Sequence, residues 1–307
     1  MSLPTTILVT GAGGFVGAAT VRAALAAGHR VQALVRTPRV PRLAGLQGPL
    51  SVHAVDLFDK SAVGSLLAEL RPDVVVHSAW EGVGGALRAG DIQLDNIRAT
   101  VDLIDAAIAA GTRKFVGIGS QAEYGRYDRR IVETDLPRPT MLYGAAKLSA
   151  SLLAAQRAHE SGIEFAWLRL FSVYGPGDNP NWLIPSVAAS LARGVAPKLT
   201  LGTQLWDYLH IADVAAAVVA TATSAAATGT FNLSSGQPVA VRDIVERLRD
   251  LIAPSLALRF GEISFGPAQI MHLEGDNARL RQLTEWAPRI DLLDGLADVA
   301  ADLARAA

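Results

Sequence analysis

The sequence predicts an α/β fold built on a doubly wound parallel β-sheet. Short β-branched runs alternate with longer Ala- and Leu-rich segments over the first two-thirds of the chain. The runs are continuously apolar, which is typical of parallel strands buried on both faces, whereas half-buried strands show a period of two. Several helical segments end at a glycine, such as Gly28 and Gly111, where a left-handed C-terminal cap is favourable.

The predicted elements alternate along the chain. Strands are predicted at residues 6–10, 31–35, 52–55, 74–77, 115–119 and 165–170. Helices are predicted at residues 15–27, 61–70, 91–110 and 145–161. After about Leu170 the segments become shorter and less regular, and Gly and Pro cluster over residues 174–180. This change predicts a smaller mixed α/β region that inserts into the sheet domain and returns to it.

The composition excludes several classes of protein. Half of the 307 residues are hydrophobic and 19% are charged, which excludes a disordered chain. A formal net charge of −1 offers no electrostatic basis for binding nucleic acid or an anionic membrane. The chain has no cysteine, so disulfides, thiolate–zinc sites and cysteine nucleophiles are excluded, and no metal site is predicted. The N-terminus lacks the features of a signal peptide and no run could span a bilayer, so we expect a soluble cytoplasmic protein.

A glycine-rich segment, GAGGFVG over residues 11–17, connects the first predicted strand to the first helix. Glycines at 11, 14 and 17 allow a tight turn and let backbone N–H groups approach a pyrophosphate at the helix N-terminus. Because the segment stands between a strand and a helix near the N-terminus, it predicts a dinucleotide-binding loop.

The end of the second strand bears on the choice between NADP and NAD. An NAD site usually places a carboxylate there to hold the ribose hydroxyls. Here Val35 is followed by Arg36, with Arg39 and Arg42 nearby. A guanidinium without a carboxylate suits a 2′-phosphate, so NADP(H) is favoured; NAD(H) is the alternative if Arg36 is only a solvated residue. Asp56, after the third strand, is a candidate for the adenine amino group or, instead, for the cap of the helix near Ser61.

Tyr143 and Lys147 stand four residues apart, on one face of a predicted helix. A phenol with a pKa of about 10 is a poor acid or base at neutral pH, and a nearby ammonium lowers that pKa. Ser120 follows the fifth strand, where its hydroxyl is placed to hold a substrate oxygen, and Asn96 is predicted to line the nicotinamide side. The alternative is that Tyr143 is a core aromatic residue and Lys147 a solvated one.

These motifs follow one another in an order that resembles the extended short-chain dehydrogenase/reductase family. This is the NAD-dependent epimerase/dehydratase group, whose members act mostly on nucleotide sugars. The resemblance runs almost end to end. It rests on residues 10–17, 77–79, 95–96 with Thr100, Ser120 with 124–125, Tyr143 with Lys147, 169–177, 206–214, 231–236 and the tail around 276–288.

The resemblance implies two interleaved domains and a catalytic set. A Rossmann domain would comprise residues 1–172 plus about 206–228, and a mixed α/β substrate domain about 173–205 plus 229–307. Tyr143 would be the general acid/base, Lys147 would tune it and hold the nicotinamide ribose, and Ser120 would orient the reacting oxygen. The predicted cofactor-binding residues are Gly11, Gly14, Phe15, Val16, Gly17, Arg36, Asp56, Leu57, Ser78, Ala79, Asn96, Tyr143 and Lys147.

Two positions depart from the pattern of the 4,6-dehydratases of this family. Their catalytic Ser or Thr is followed by an Asp-Glu pair that transfers protons during water elimination, whereas this chain has Gln121 and Ala122. An amide and a methyl group cannot exchange protons in this way, so dehydration is disfavoured. Glu123 is adjacent, but neighbours on an extended segment point to opposite faces, and a loop carboxylate paired with an arginine is an equal alternative.

A third departure is Trp206, where many nucleotide-sugar enzymes have an arginine that meets the diphosphate. An indole cannot supply that charge, so either another arginine, Arg279 or Arg193, takes the role or the substrate is not a standard UDP-hexose. Trp206 would then stack on a ring or pack the core. The predicted substrate-binding residues are Trp80, Gln121, Glu123, Asn179, Trp182, Trp206 and Arg279. His210 and Asp213 are predicted to be structural, with Asp213 initiating a helix at Val214.

The leading functional hypothesis is an NADPH-dependent reductase of a nucleotide-activated 4-keto-6-deoxysugar. The second is a nucleotide-sugar epimerase that oxidises its substrate transiently, and the third a catalytically inactive cofactor-sensing protein. The third conflicts with the presence of Ser120, Tyr143 and Lys147. Members of the family usually dimerise through two helices, for which residues 91–110 and 145–161 are candidates unless their apolar faces serve the core.

Overall fold

The computed structural model describes residues 4–267 and 269–306. The strands are β1 (Thr6–Thr10), β2 (Arg30–Val35), β3 (Leu50–Ala54), β4 (Val74–His77), β5 (Lys114–Ser120), β6 (Glu164–Leu170), β7 (Ser172–Tyr174), β8 (Lys198–Leu199), β9 (Leu205–Trp206), β10 (Tyr208–His210), β11 (Gly229–Leu233), β12 (Val239–Ala240), β13 (Arg259–Phe260) and β14 (His272–Leu273). The helices are α1 (Phe15–Ala26), α2 (Lys60–Leu70), α3 (Ile92–Ala109), α4 (Leu142–Ser161), α5 (Leu183–Ala192), α6 (Ile211–Thr223), α7 (Val241–Ile252), α8 (Ala278–Thr284) and α9 (Leu292–Ala306).

Seven parallel strands form the central sheet, in the order β11-β6-β5-β4-β1-β2-β3. This order confirms the doubly wound fold predicted from the sequence, and the strands and helices predicted before Leu170 are all present. The carboxyl ends of β1 and β4 lie side by side where the strand order reverses, which is where such sheets bind their ligands.

Both faces of the sheet are covered by helices. Ile7 and Val9 of β1 point to one face and join a core with residues of α1 and α6. Leu8, between them, points to the other face and packs with residues of α2, α3 and α4. Since adjacent strand residues face opposite ways, a strand buried on both faces must be apolar throughout, which explains the continuous runs in the sequence.

A second core lies among α5, α7 and α9. Helix α7 is amphipathic and buries Val241, Ile244, Val245 and Leu248, while its charged residues lie on the other face. Short strands accompany these helices, with β9 pairing with both β12 and β14. No helix within the described ranges has the length and apolarity needed to cross a bilayer.

Strand β11 modifies the predicted division into domains. The resemblance places residues 229–233 in the substrate domain, but they pair with β6 at the edge of the central sheet. The phenylalanine and leucine of this strand, Phe231 and Leu233, belong to the core shared with α1 and α6. The remaining domain boundaries stay a prediction.

The start of α6 differs from the prediction as well. The helix begins at Ile211, and the cap is His210, whose ring Nδ1 accepts a hydrogen bond from the Ala212 N–H at 3.3 Å. Asp213 therefore lies inside the first turn, where its Oδ2 accepts the backbone N–H groups of Arg289 and Ile290. Both side chains have structural roles, as predicted, but Asp213 does not initiate the helix.

Asp207, between β9 and β10, joins distant parts of the chain. Its carboxylate is fully buried and accepts hydrogen bonds from the backbone N–H groups of Ser235, Gly236 and Gly275 at 2.7–3.1 Å. It also accepts the Ser235 hydroxyl at 2.6 Å. Because Ser235 follows β11 of the central sheet, this carboxylate links the small sheet to the large one.

Candidate active site

A cavity of about 1510 Å³ opens at the carboxyl ends of the central strands. One wall, which we call the Rossmann wall, is formed by the glycine loop, the ends of β2, β4 and β5 with the segments that follow them, and the start of α4. The other wall, which we call the far wall, is formed by the loop before α5 and by β9, β10 and their neighbours. Every predicted site residue can be placed relative to this cavity.

The glycine loop has the geometry that a dinucleotide requires. Gly11 has a φ of +65°, and a Cβ there would lie 2.7 Å from the Ala79 Cα. A Cβ at Gly17 would clash with the Gly11 carbonyl, so a larger residue would force α1 away from the loop. The α1 N-terminus has Gly14 as its cap residue and no side-chain cap, which leaves its N–H groups for phosphate oxygens. The residues present therefore fit a bound dinucleotide.

The adenosine end of the cavity is rich in arginine. Arg36 follows β2, and its guanidinium lies 3.1 Å from the Glu81 carboxylate. Arg39 and Arg42 line the same side, together with Leu57. Asp56 lines it too and accepts the Phe58 N–H. The cap of α2 is Asp59, which accepts the Ala62 N–H, so the alternative role of Asp56 as a helix cap is wrong.

Asn96 acts on the loop after β4. Its Oδ1 accepts the Glu81 N–H at 3.0 Å, and its Nδ2 donates to the Glu81 carbonyl at 2.9 Å. It is buried, but it lies on the cavity wall with Ser78 and Ala79. The amide thus fixes the backbone that forms the nicotinamide side of the predicted cofactor site.

Ser120, Tyr143 and Lys147 come together on the Rossmann wall of the cavity. Ser120 is the last residue of β5, and Tyr143 and Lys147 occupy successive turns of α4. The helix starts at Leu142, three residues before the predicted start, so the phenol lies in its first turn. Tyr143 and Lys147 are only 8% and 4% exposed, and what remains accessible of them opens into the cavity.

Three groups surround the Tyr143 phenol. The Trp80 indole packs edge-on, with the ring centroids 6.3 Å apart, and the Arg88 guanidinium carbon lies 4.3 Å from the centroid of the phenol ring. Burial raises the pKa of Tyr143, while a hydrogen bond with Ser120 and the charge of Arg88 oppose this effect.

The ammonium of Lys147 contacts a backbone carbonyl and an indole ring. Its Nζ donates to the Ile118 carbonyl at 2.7 Å and lies 3.8 Å from the centroid of the Trp80 ring. Burial lowers the pKa of Lys147 to about 7, with Glu123 partly opposing. The positive charge that faces the phenol comes from Arg88, which the sequence did not indicate because it lies on a short turn, Gly85–Ala89, between two motifs and belongs to neither.

Glu123 is not a substrate-binding residue, contrary to the prediction. Its side chain is fully buried and pairs with Arg169 at 2.7 Å. The other carboxylate oxygen accepts the Ser120 N–H and the Trp167 indole N–H. The alternative of a carboxylate paired with an arginine is confirmed. Gln121, by contrast, lines the cavity and has a buried Oε1 without a partner in the described residues.

The two arginines considered as replacements for a diphosphate-binding residue lie elsewhere. Arg279 donates to the carbonyls of Thr228 and Thr230, at the edge strand β11, and does not line the cavity. Arg193 follows α5 and lines a separate surface depression near α9. Neither is placed to hold a substrate in the cavity, so the prediction for Arg279 is wrong.

The far wall is aromatic. Trp206 stacks on Tyr208 with centroids 6.2 Å apart, and its indole N–H donates to the Ile270 carbonyl. Trp182, Asn179 and Trp80 also line the cavity, and their contacts with a substrate stay a prediction. Gln204 was missed, although it precedes Trp206 by two residues and so falls on the same side of an extended segment. Its Oε1 is buried and has no partner among the described residues.

Residues 7–234 match the model of the NAD dependent epimerase/dehydratase family. The chain belongs to this family. The matched segment contains the glycine loop, Ser120, Tyr143 and Lys147, whereas the tail around residues 276–288 lies outside it. The predicted membership of the extended short-chain dehydrogenases/reductases is thereby confirmed.

Curated relatives within the family have different reactions. The chain is 30% identical to the GDP-6-deoxy-D-mannose reductase of Pseudomonas aeruginosa, over 96% of each chain. It is also 30% identical to UDP-glucose 4-epimerase 4 of Oryza sativa subsp. japonica, over 87% of this chain and 82% of the relative. Identity at this level therefore leaves both a reductase and an epimerase as candidates.

Solved structures agree on the fold. The UDP-glucose 4-epimerase of Thermotoga maritima with UDP-glucose matches with a TM-score of 0.87 at 21% identity, over 98% of this chain and 99% of the other. MoeE5 in complex with UDP-glucuronic acid and NAD matches with a TM-score of 0.86 at 28% identity, over 98% of this chain and 100% of MoeE5.

Proposed function

We propose that the protein is an NADPH-dependent reductase of a nucleotide-activated 4-keto-6-deoxysugar. The observation that carries this proposal is Arg36 at the end of β2, on the wall of the cavity, where an NAD enzyme usually has a carboxylate. Arg39 and Arg42 add positive charge on the same side. A preference for NADPH suits net reduction, whereas an epimerase recycles one bound NAD. The similarity to a GDP-6-deoxy-D-mannose reductase supports the same reaction.

In this reaction the chain's own residues bind the substrate and move a proton. A bound nicotinamide supplies the hydride that adds to the carbonyl carbon. Tyr143 donates its hydroxyl proton to the carbonyl oxygen as the C=O double bond becomes a C–O single bond. Ser120 holds that oxygen beside the phenol. Lys147, on the same helix as Tyr143, would hold the ribose of the nicotinamide. Gln121 and Ala122 leave the enzyme without the acid–base pair that water elimination requires.

The far wall suits a nucleotide sugar that is recognised on that side by ring stacking and hydrogen bonds and not by charge. Trp182, Trp206 and Tyr208 offer ring faces for a base or sugar, and the amide of Gln204 offers an acceptor for a hydroxyl or N–H donor. The lysine and arginines that line the described cavity all come from the Rossmann wall. A substrate diphosphate would therefore be met by Rossmann-wall cations.

The second candidate is a nucleotide-sugar epimerase, which the 30% identity to a UDP-glucose 4-epimerase favours. The test is a panel of GDP-, dTDP-, CDP- and UDP-linked 4-keto-6-deoxysugars with NADPH or NADH, followed by the absorbance of the reduced nicotinamide. Stoichiometric NADPH consumption supports the reductase. Inversion of a hexose without net cofactor turnover supports the epimerase and overturns the reductase. Tyr143→Phe should abolish either activity while cofactor affinity stays within a factor of about 3.

The cofactor preference has a sharper test in a pair of variants with opposite expected effects. Arg36→Ser should lower the affinity for NADPH roughly 10-fold, the value of one charge-assisted hydrogen bond, and leave NADH affinity almost unchanged. Glu81→Gln frees Arg36 from its ion pair and should raise NADPH affinity. Cofactor dissociation constants measured by nicotinamide fluorescence check both. If Arg36→Ser leaves the ratio of the dissociation constants for NADPH and NADH unchanged, the proposed preference for NADP is contradicted.

We further propose that the protein is a homodimer that pairs through α3 and α4. These helices pack against each other, yet Leu94 of α3 and Leu152 and Leu153 of α4 are 55%, 62% and 48% exposed. Three large apolar side chains on one pair of adjacent helices are a typical signature of a contact with another chain. A second copy of the chain would present the same helices across a two-fold axis.

A further inference from the structure

Arg88 is fixed over the face of the Tyr143 ring. Its Nε and Nη2 donate to the Met141 thioether at 3.3 and 3.1 Å, and its Nη1 donates to the Val83 carbonyl at 3.2 Å. Met141 is the N-cap residue of α4, two residues before the phenol. The guanidinium is therefore attached to the same helix end as Tyr143, and its carbon lies 4.3 Å from the ring centroid.

The charge of Arg88 is not neutralised by its neighbours. A thioether and a carbonyl are uncharged acceptors, and no carboxylate of the described residues lies within 4.0 Å of the guanidinium. A cation over an aromatic face is stabilised by about 0.5–2 kcal/mol, and more so once the ring carries a negative charge. Arg88 is thus a permanent positive charge on the surface of the phenol.

Lys147 is less well placed for that purpose. It donates to the Ile118 carbonyl and stacks its ammonium on Trp80, not on Tyr143. Burial lowers the pKa of Lys147, which disfavours its charged form. A guanidinium does not lose its proton at neutral pH.

We propose that Arg88 is a positioning residue for proton transfer: its charge stabilises the Tyr143 phenolate that remains when the phenol has given its proton to the substrate. Three side chains act on this phenol from the elements around it. They are Arg88 on its turn, Ser120 at the end of β5, and the buried carboxylate of Glu123 after β5. Lys147, on α4, has its ammonium over Trp80 instead. Arg88 and Ser120 favour the phenolate, whereas Glu123 and burial oppose it.

The rate effect of Arg88 rests on the proposed function, but its effect on the phenol does not. The first experiment therefore uses the protein without substrate. Tyrosine labelled with ¹³C at Cζ gives one resonance for each of the five tyrosines, and Tyr143→Phe identifies the one of interest. Its chemical shift is followed with pH in the wild type, Arg88→Met and Arg88→Lys.

Arg88→Met should raise the titration midpoint of Tyr143 by about one pH unit, and Arg88→Lys, which retains the charge, should raise it less. Arg157→Met is the matched control, because Arg157 lies on the same helix about 21 Å further along, beyond the screening length. It should leave the midpoint unchanged. An unchanged midpoint in Arg88→Met overturns the proposal. If Arg88→Met does not fold, Met141→Leu, which removes the sulfur that holds the guanidinium, must raise the midpoint instead.

The second experiment uses any substrate that the activity panel identifies. Arg88→Met should lower kcat roughly 10-fold with KM changed less than about 2-fold, and the limb of the pH–rate profile that reports Tyr143 should move to higher pH. A raised KM with kcat unchanged would identify Arg88 as a substrate-binding residue and overturn the proposal. If no substrate is found, the reductase proposal fails, while the ¹³C titration still tests Arg88.

Discussion

Gln204 has a buried amide oxygen that faces the cavity and lacks a partner among the described residues. An unsatisfied buried acceptor costs about 1–3 kcal/mol of stability. Gln204→Leu should therefore raise the free energy of unfolding, because the unsatisfied group is removed. The same change should raise KM for the substrate roughly 10-fold, because a substrate donor loses its acceptor. Denaturant unfolding and steady-state kinetics measure the two effects, and a loss of stability with unchanged KM would show that Gln204 serves only the fold.

The ion pair of Glu123 and Arg169 is buried on both sides, at 0% and 5% exposure. Glu123→Gln leaves the Arg169 charge in the interior without its partner and should cost about 3–5 kcal/mol of the free energy of unfolding. Lys60→Gln, which breaks the exposed pair with Asp102, is the control and should cost less than about 1 kcal/mol. Equal losses in chemical denaturation would contradict a structural role for Glu123.

At the residue scale, the sequence predicts the groups whose neighbours are local. The glycine loop and the Tyr143–Lys147 pair follow from spacing along one strand, turn or helix. Glu123 and Arg279 do not, because their partners are distant in sequence. Arg169 lies on β6, 46 residues from Glu123, and Thr230 on β11 lies 49 residues from Arg279. The partner of a charged side chain is whichever group the fold brings near it, and the spacing of residues along the sequence does not predict that partner.

At the scale of elements, His77 joins β1, β4 and α3. Its ring lies between the hydroxyls of Thr10 and Thr100, at 2.9 and 3.0 Å. Burial, and to a lesser extent the charge of Lys147, lowers the pKa of His77 to about 3. The unfolded chain binds this proton below about pH 6.5. The free energy of unfolding should therefore fall as pH falls from about 6.5 to 3.

A comparison with His77→Asn isolates this contribution. The variant has no group to titrate, so it should lose less stability than the wild type over the same acidification. Urea unfolding at pH 7, 5.5 and 4 measures the difference, with other titrating groups common to both proteins. If the free energies of unfolding of the wild type and His77→Asn fall in parallel with pH, His77 is protonated in the folded protein.

The predicted ends of strands and helices agree best with the structure where a feature of the neighbouring residues sets each end. Strands β1 and β4 have the predicted ends, while α4 starts three residues early at Leu142. The cap of α6 is a histidine, a residue that is uncommon there, so residue preference favours the carboxylate of Asp213, two residues beyond the helix start, over the true cap. The two-residue strands β8, β9, β12, β13 and β14 have too few residues to show a period.

At the scale of the whole molecule, the proposed dimer has a direct test. Leu152→Glu places a charge at the most exposed of the three leucines of α3 and α4 and should convert a dimer into a monomer, as measured by light scattering coupled to size exclusion. Val195→Glu, at an equally exposed apolar residue after α5, should leave the mass unchanged. A wild-type protein that elutes as a monomer would contradict the homodimer.

The doubly wound sheet was predictable because β1, β2, β4 and β5 carry the same signal, a largely apolar run whose residues are mostly buried. The edge strand β3 does not share this burial. The return of β11 to this sheet was not predictable, since Gly229–Leu233 follows a helix and resembles a strand of either domain. Connectivity between domains is decided by long-range pairing, and the sequence pattern is local.

The buried carboxylate of Asp207 has a consequence for how the cavity can change. Three backbone N–H groups from two separate segments, residues 235–236 and Gly275, converge on it, immediately beside Trp206. The wall of the cavity that contains Trp206 is therefore connected through this carboxylate to the loop that follows β11 of the central sheet. We expect side chains on that wall to be exchangeable without displacing Ser120 or Tyr143, which makes Trp206 and Gln204 starting points for redesign.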